Sequence, residues 1–166
     1  MLQPPMKLTV FTDYSLRVLI YLATQPERRA TIAEVAAAFS VPENHLVKVV
    51  HFLGKAGMLA NVRGKGGGMQ LATAPENIRV GNVIRATEGD PVLAECFAGG
   101  GCDCAIVPTC RLRGVLGEAL VAFFGVLDSY TVADLVTNRE QLAKILFAPP
   151  PAANPRPAEG TSPAAG

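Results

Sequence analysis

The chain has 166 residues, about half of them apolar, and a formal net charge of +1. That length suits one domain of ordinary size with room for an appended arm. The longest apolar runs, Val18–Ala23 and Ala119–Phe124, are too short to cross a bilayer, and the first residues lack the charged and apolar regions of a signal sequence, so a soluble cytoplasmic protein is expected. The charge is unevenly spread. Residues 1–75 hold eight Lys/Arg against four Asp/Glu, a balance of +4; residues 76–166 hold seven against ten, a balance of −3. A basic first half is compatible with a nucleic-acid face, although ordinary solvated surfaces show differences of this size too.

Thr12 followed by Asp13–Thr24 reads as a first helix with Thr12 as its N-cap and Asp13 in the first turn, where the helix dipole favours a carboxylate. Leu16, Leu19, Ile20 and Ala23 repeat at the helical period and predict its buried face. Thr31-Ile-Ala-Glu34 is a capping box that opens a short helix ending near Phe39-Ser40. Pro42 suits the first position of a third helix, which runs through Asn44, His45, Lys48 and Phe52 to a stop at Gly57. Two helices joined by Ser40-Val41-Pro42 form a helix–turn–helix pattern.

Met58–Arg63 and Met69–Ala72 then read as two strands around Gly64-Lys-Gly-Gly-Gly68. A lone glycine-rich loop is usually a surface turn. It is no phosphate-binding loop either, since no Gly-Lys-Ser/Thr opens a helix after a strand. Directly behind a recognition helix, with Arg63 and Lys65 near its tip, the hairpin is better read as a DNA-binding wing. Val80–Glu88 is a short amphipathic helix. From Pro108 a longer one is predicted to reach Ser129, with Leu112, Val115, Leu116, Ala119, Phe123, Val126 and Leu127 along one stripe. Such a stripe wants a partner helix, from a second copy of the chain or from the winged helix itself. Thr131–Asp134 caps a last helical segment continuing to Phe147, and the Pro/Ala-rich residues 148–166 are expected to be disordered.

All four cysteines, Cys96, Cys102, Cys104 and Cys110, fall inside fifteen residues of a glycine-rich segment. Structural cysteines are usually scattered through a core, whereas a cluster offers several thiolates to one point, as a metal or iron–sulfur centre requires. A tetrahedral zinc site would use all four, against which Cys102 and Cys104 stand only two apart. A thiol-based redox sensor is a further alternative. No Ser-His-Asp order, paired-carboxylate pocket or nucleotide fingerprint points to an enzyme.

Leu8-Thr-Val-Phe-Thr-Asp-Tyr-Ser-Leu-Arg17, Asn44-His-Leu-Val-Lys48, Val62-Arg-Gly-Lys-Gly-Gly-Gly68 and Cys110-Arg-Leu resemble the Rrf-two family of winged-helix iron–sulfur regulators, over roughly residues 6–146. Glu95-Cys96, Cys104–Arg113 and Leu127–Leu135 are similar to its nitric-oxide-sensing, NsrR-like branch. The resemblance implies a mainly α fold with a small β-hairpin wing: a winged helix–turn–helix over 6–78, and a cluster-binding and dimerisation region with a long helix over 79–147. It implies that Cys96, Cys104 and Cys110 are cluster ligands and that Asp13, donated by the other subunit, is the fourth ligand of a [4Fe–4S] cluster, favoured here over [2Fe–2S]. Cys102 exceeds the family's three cysteines, and stands as a bystander, an alternative ligand or a redox partner. The family's other branch places a histidine beside its cysteines, and no histidine follows His51 here. The expected function is that of a homodimeric repressor gripping an inverted repeat of double-stranded DNA. Asn44, His45, Lys48, Arg63 and Lys65 would touch the DNA, and nitric oxide would be the signal for release.

Overall fold

The computed structural model describes residues 7–89, 92–97 and 103–148. Helix α1 (Val10–Thr24) is capped one turn earlier than expected: the Thr9 hydroxyl, not that of Thr12, accepts a hydrogen bond at the helix start, from Thr12 N at 3.2 Å. Thr12 is fully buried, and its hydroxyl instead meets Thr87 Oγ1 at 2.8 Å and the Glu88 carboxylate. The buried face of α1 centres on Val18, Leu19, Leu22 and Ala23, with Leu16 and Ile20 half-buried at its edge. Helix α2 (Ile32–Phe39) opens on the predicted capping box. Thr31 Oγ1 accepts from Glu34 N at 3.2 Å, and Glu34 Oε2 accepts from Thr31 N at 2.6 Å. Ser40 closes the helix in the left-handed region, at φ 52°, and turns the chain toward α3 (Glu43–Lys55). Pro42 is the N-cap of that helix rather than its first residue.

Gly57, at φ 73°, reverses the chain after α3 and starts a hairpin of β1 (Leu59–Val62) and β2 (Gly68–Leu71). The strands are antiparallel, with Leu59 opposite Leu71 and Val62 opposite Gly68. Leu59 and Met69 point into the core, while Asn61 and Val62 stay exposed. Helix α4 spans Val80–Glu88 as expected. The long helix α5 begins at Arg111, later than the expected Pro108, because Pro108 is taken up in a separate 3₁₀ turn over Val107–Thr109; it ends at Ser129 as predicted. After α5 the chain returns to the base of α4, where Val80 N donates to Tyr130 O at 3.0 Å and Val132 N to Ile78 O at 2.9 Å. The last segment divides into a 3₁₀ turn, Asp134–Val136, and α6 (Arg139–Leu146). Residues 149–166 of the Pro/Ala-rich tail lie outside the described residues.

One large core joins α1, α2, α3, the hairpin and Val83 of α4 with Val132, Val136 and Leu146, so α6, the last helix among the described residues, packs against α1 and α2. A smaller cluster of Val80, Ile84 and Phe124 attaches α5 to α4. The same joint carries a bidentate pair, Arg85 to Asp128 at 2.7 and 2.6 Å, with the Arg85 guanidinium 4.2 Å above the Phe124 ring centre. Gly81 makes room for it: a Cβ there would meet the Asp128 carboxylate at 1.9 Å. Phe124 is the only residue of α5 that this chain buries, and Leu112, Val115, Val121 and Val126 are each more than half exposed. No helix among the described residues is long and apolar enough to cross a membrane.

Candidate DNA-reading face and cysteine segment

Helix α3 buries Leu46, Val49, Val50 and Leu53, and that fixes what it shows. With 3.6 residues per turn, the opposite face presents Asn44, His45, Val47, Lys48 and His51, all exposed. The His45 ring leans against Tyr14 of α1, with ring centres 6.1 Å apart. The wing stands beside this face. Arg63 and Lys65 are exposed there, and Gly64 and Gly66, at φ 96° and 77°, take the left-handed conformations that the turn demands. The ion pairs among the described residues involve none of Lys48, Arg63 and Lys65. Their charges are therefore available to a polyanion.

The cysteine segment lies apart from this face in sequence. Cys96 sits in a 3₁₀ turn, Glu95–Phe97, and Cys110 is the N-cap residue of α5. Cys96, Cys104 and Cys110 are all free thiols, partly or fully exposed. Cys102 lies outside the described residues. Among those residues, no three His, Cys, Asp or Glu side chains gather into a metal-binding group. The donor set nonetheless fits an iron–sulfur centre in kind: unpaired thiols are the ligands such a centre needs, and none is committed to the hydrophobic core.

Asp13 occupies the first turn of α1, where its carboxylate is held by Arg17 one turn on, at 2.8 and 3.1 Å. Arg17 in turn lies over the rings of Tyr14 and Phe39. The four-residue spacing of Asp13 and Arg17 is a signal readable from sequence. The connection at the other side of the α1 start is not. Glu88 Oε1 accepts hydrogen bonds from Thr9 N at 2.7 Å, from Thr9 Oγ1 at 3.0 Å and from Thr12 Oγ1. Burial pushes the Glu88 carboxyl up, but these hydrogen bonds outweigh it and hold the group below its ordinary value. The end of α4, which leads into the cysteine segment, is thereby tied to the turn that carries Asp13.

A helix–turn–helix with an outward recognition face and a glycine-tipped hairpin behind it defines a winged-helix transcription regulator. The chain belongs to the Rrf2 family, whose members are described as iron-dependent transcriptional regulators; the family's model matches residues 8–138. It is 48% identical over 142 residues to the HTH-type transcriptional regulator NsrR of Bacillus subtilis, covering 85% of this chain and 97% of that protein. Against the NsrR of Geobacillus kaustophilus the identity is 49%, with the same coverage. Among solved structures, IscR of T. potens superposes with a TM-score of 0.66 at 26% identity, over 82% of this chain and 90% of that one. CymR, the global cysteine regulator of B. subtilis, gives 0.66 at 28% identity, over 80% and 97%. These relatives are transcription regulators and not enzymes.

Proposed function

We propose that the protein is a homodimeric, iron–sulfur-dependent repressor that works in the cytoplasm and releases its operator on exposure to nitric oxide. The observation that carries this reading is the placement of the free thiols. They lie outside the core, in the segment between α4 and α5 and at the α5 N-cap, and α5 is the helix whose apolar face this chain leaves uncovered. A second copy packed on that face would pair two winged helices by a two-fold axis, which suits an inverted repeat. Similarity to the NsrR proteins supports the choice of signal.

In this reading Cys96, Cys104 and Cys110 hold the cluster, and the partner copy contributes Asp13, with [4Fe–4S] favoured over [2Fe–2S]. A bound cluster supplies iron sites open to a small diatomic ligand, most readily at the corner held by a hard carboxylate rather than a thiolate. Turning toward such a site, Asp13 would give up Arg17, its present partner. In the same reading Asn44 and His45 would reach base edges, Lys48 phosphate, and Arg63 and Lys65 phosphate or the minor groove.

Anaerobic purification with iron and sulfide counts, followed by nitric oxide titration against operator binding, tests the whole reading. A coloured protein that loses both its visible absorbance and its operator is expected. A colourless zinc protein would establish the zinc-stabilised alternative, and an iron-free protein that oxidants switch would establish the thiol-based one. The origin of the fourth ligand has its own test. A heterodimer joins an Asp13→Ala chain to a chain with Cys96, Cys104 and Cys110 all changed to alanine. If ligation crosses the dimer, one site is complete and shows the native spectrum. If it stays within a chain, the spectrum matches that of the Asp13→Ala protein.

A further inference from the structure

The tip of the wing, residues 64–68, is four parts glycine and has almost no side chain of its own to pack. A tip of this composition has wide conformational freedom in isolation. Arg63 and Lys65 can meet DNA only where the tip puts them. Its support comes from the connection between α1 and α2. Ala30 and Met69 exchange both backbone hydrogen bonds, Ala30 N to Met69 O at 3.0 Å and Met69 N to Ala30 O at 2.8 Å, so residue 30 is held to β2 by an isolated antiparallel bridge. The approach is tight enough that a Cβ on Gly68 would lie 2.9 Å from Ala30 O.

Arg29 extends this support to the tip itself. Its Nε donates to Gln70 Oε1 at 3.2 Å and one terminal nitrogen donates to the Gly66 carbonyl at 3.5 Å. Among the described residues, no other side chain hydrogen-bonds residues 64–68. The two contacts use two donors of one planar guanidinium, a fork that a lysine ammonium cannot reproduce.

From this geometry we infer that Arg29 is a positioning residue for the wing: it fixes the glycine tip before DNA arrives and does not itself read DNA. The inference rests on the reading of Arg63 and Lys65 as DNA contacts. Ordering the tip in advance removes conformational freedom that operator binding would otherwise have to overcome, so the gain appears as affinity without a new protein–DNA contact.

Operator binding of Arg29→Ala, Arg29→Lys and Gln70→Ala, measured over a salt series, tests this, together with amide exchange at Gly66, Gly67 and Gly68. Arg29 is exposed, so the fold should survive its replacement. Arg29→Ala and Gln70→Ala should each weaken binding roughly three- to tenfold, the loss of about one hydrogen bond's worth of ordering. The double variant should bind no more weakly than Arg29→Ala alone, since both cut one brace. Arg29→Lys should fail to restore affinity, the salt slope should stay at its parental value, and exchange at the three glycines should quicken. Restoration by Lys, or a slope reduced by about one with exchange unchanged, would make Arg29 a direct phosphate contact and overturn the proposal. Unchanged affinity in Arg29→Ala, with Arg63→Ala still weakened, sinks the brace alone. Unchanged affinity in Arg63→Ala and Lys65→Ala removes the wing reading and the brace with it.

Discussion

Glu88 gathers hydrogen bonds from Thr9 N, Thr9 Oγ1 and Thr12 Oγ1 on a single carboxylate oxygen. Because they hold its carboxyl below the ordinary 4.5, its contribution to stability is fully present above that pH. That contribution is lost as the pH falls through the lowered folded value. Urea midpoints measured from neutral pH into acid should therefore fall more steeply for the parent than for Glu88→Gln, with the divergence below pH 4.5. The cysteines give the other prediction at this scale. Cys96→Ala, Cys104→Ala and Cys110→Ala should each abolish the visible spectrum of the anaerobically purified protein, while Cys102→Ala leaves it nearly intact. Loss of colour in Cys102→Ala with retention in Cys96→Ala would replace this ligand set. Asp13 shows how far residue-level reading reaches. Its place in a helix first turn and its Arg17 partner follow from local spacing, whereas a role as ligand comes from resemblance.

Elements whose signals lie within a turn of the chain were legible beforehand. The Thr31–Glu34 capping box is a three-residue pattern, and it forms as read. Thr31→Ala should cost about 1 kcal/mol of stability, seen as a lower denaturation midpoint with unchanged slope. The start of α1 is not fixed by local sequence, because Thr9 and Thr12 both look like caps, and what separates them is Glu88, 76 residues beyond Thr12. No local rule carries that information. Likewise Pro108 resembles a helix start, yet it fits the preceding 3₁₀ turn equally well. The apolar stripe of α5 was legible, and its exposure now gives it consequence. Val115, 59% exposed, should become an interior position in a dimer. Val115→Glu would then bury an unpaired charge and raise the dimer dissociation constant on the order of 100-fold or more by sedimentation. Unchanged association would leave α5 without its proposed partner.

At the scale of the whole molecule, the end of α6 folds back on α1. Phe147 packs on Tyr21 of α1 with ring centres 4.9 Å apart, and the Arg28 guanidinium lies over the Phe147 ring, 5.5 Å from its centre. Phe147→Ala should lower stability by about 1–2 kcal/mol, less than a fully buried phenylalanine because this ring is half-exposed. The joint between α4 and α5 is of a different kind. Its apolar part is small, and its Arg85–Asp128 pair leaves both side chains about 40% open to solvent. Dissolved ions weaken a pair so placed. They also compete with phosphate contacts on the DNA. Ionic strength therefore acts on this regulator at two places at once, at the DNA-facing surface and at the joint between α4 and α5. A steep salt dependence of operator affinity is then more than a census of phosphates, and only differences between variants at matched salt isolate the part that belongs to DNA.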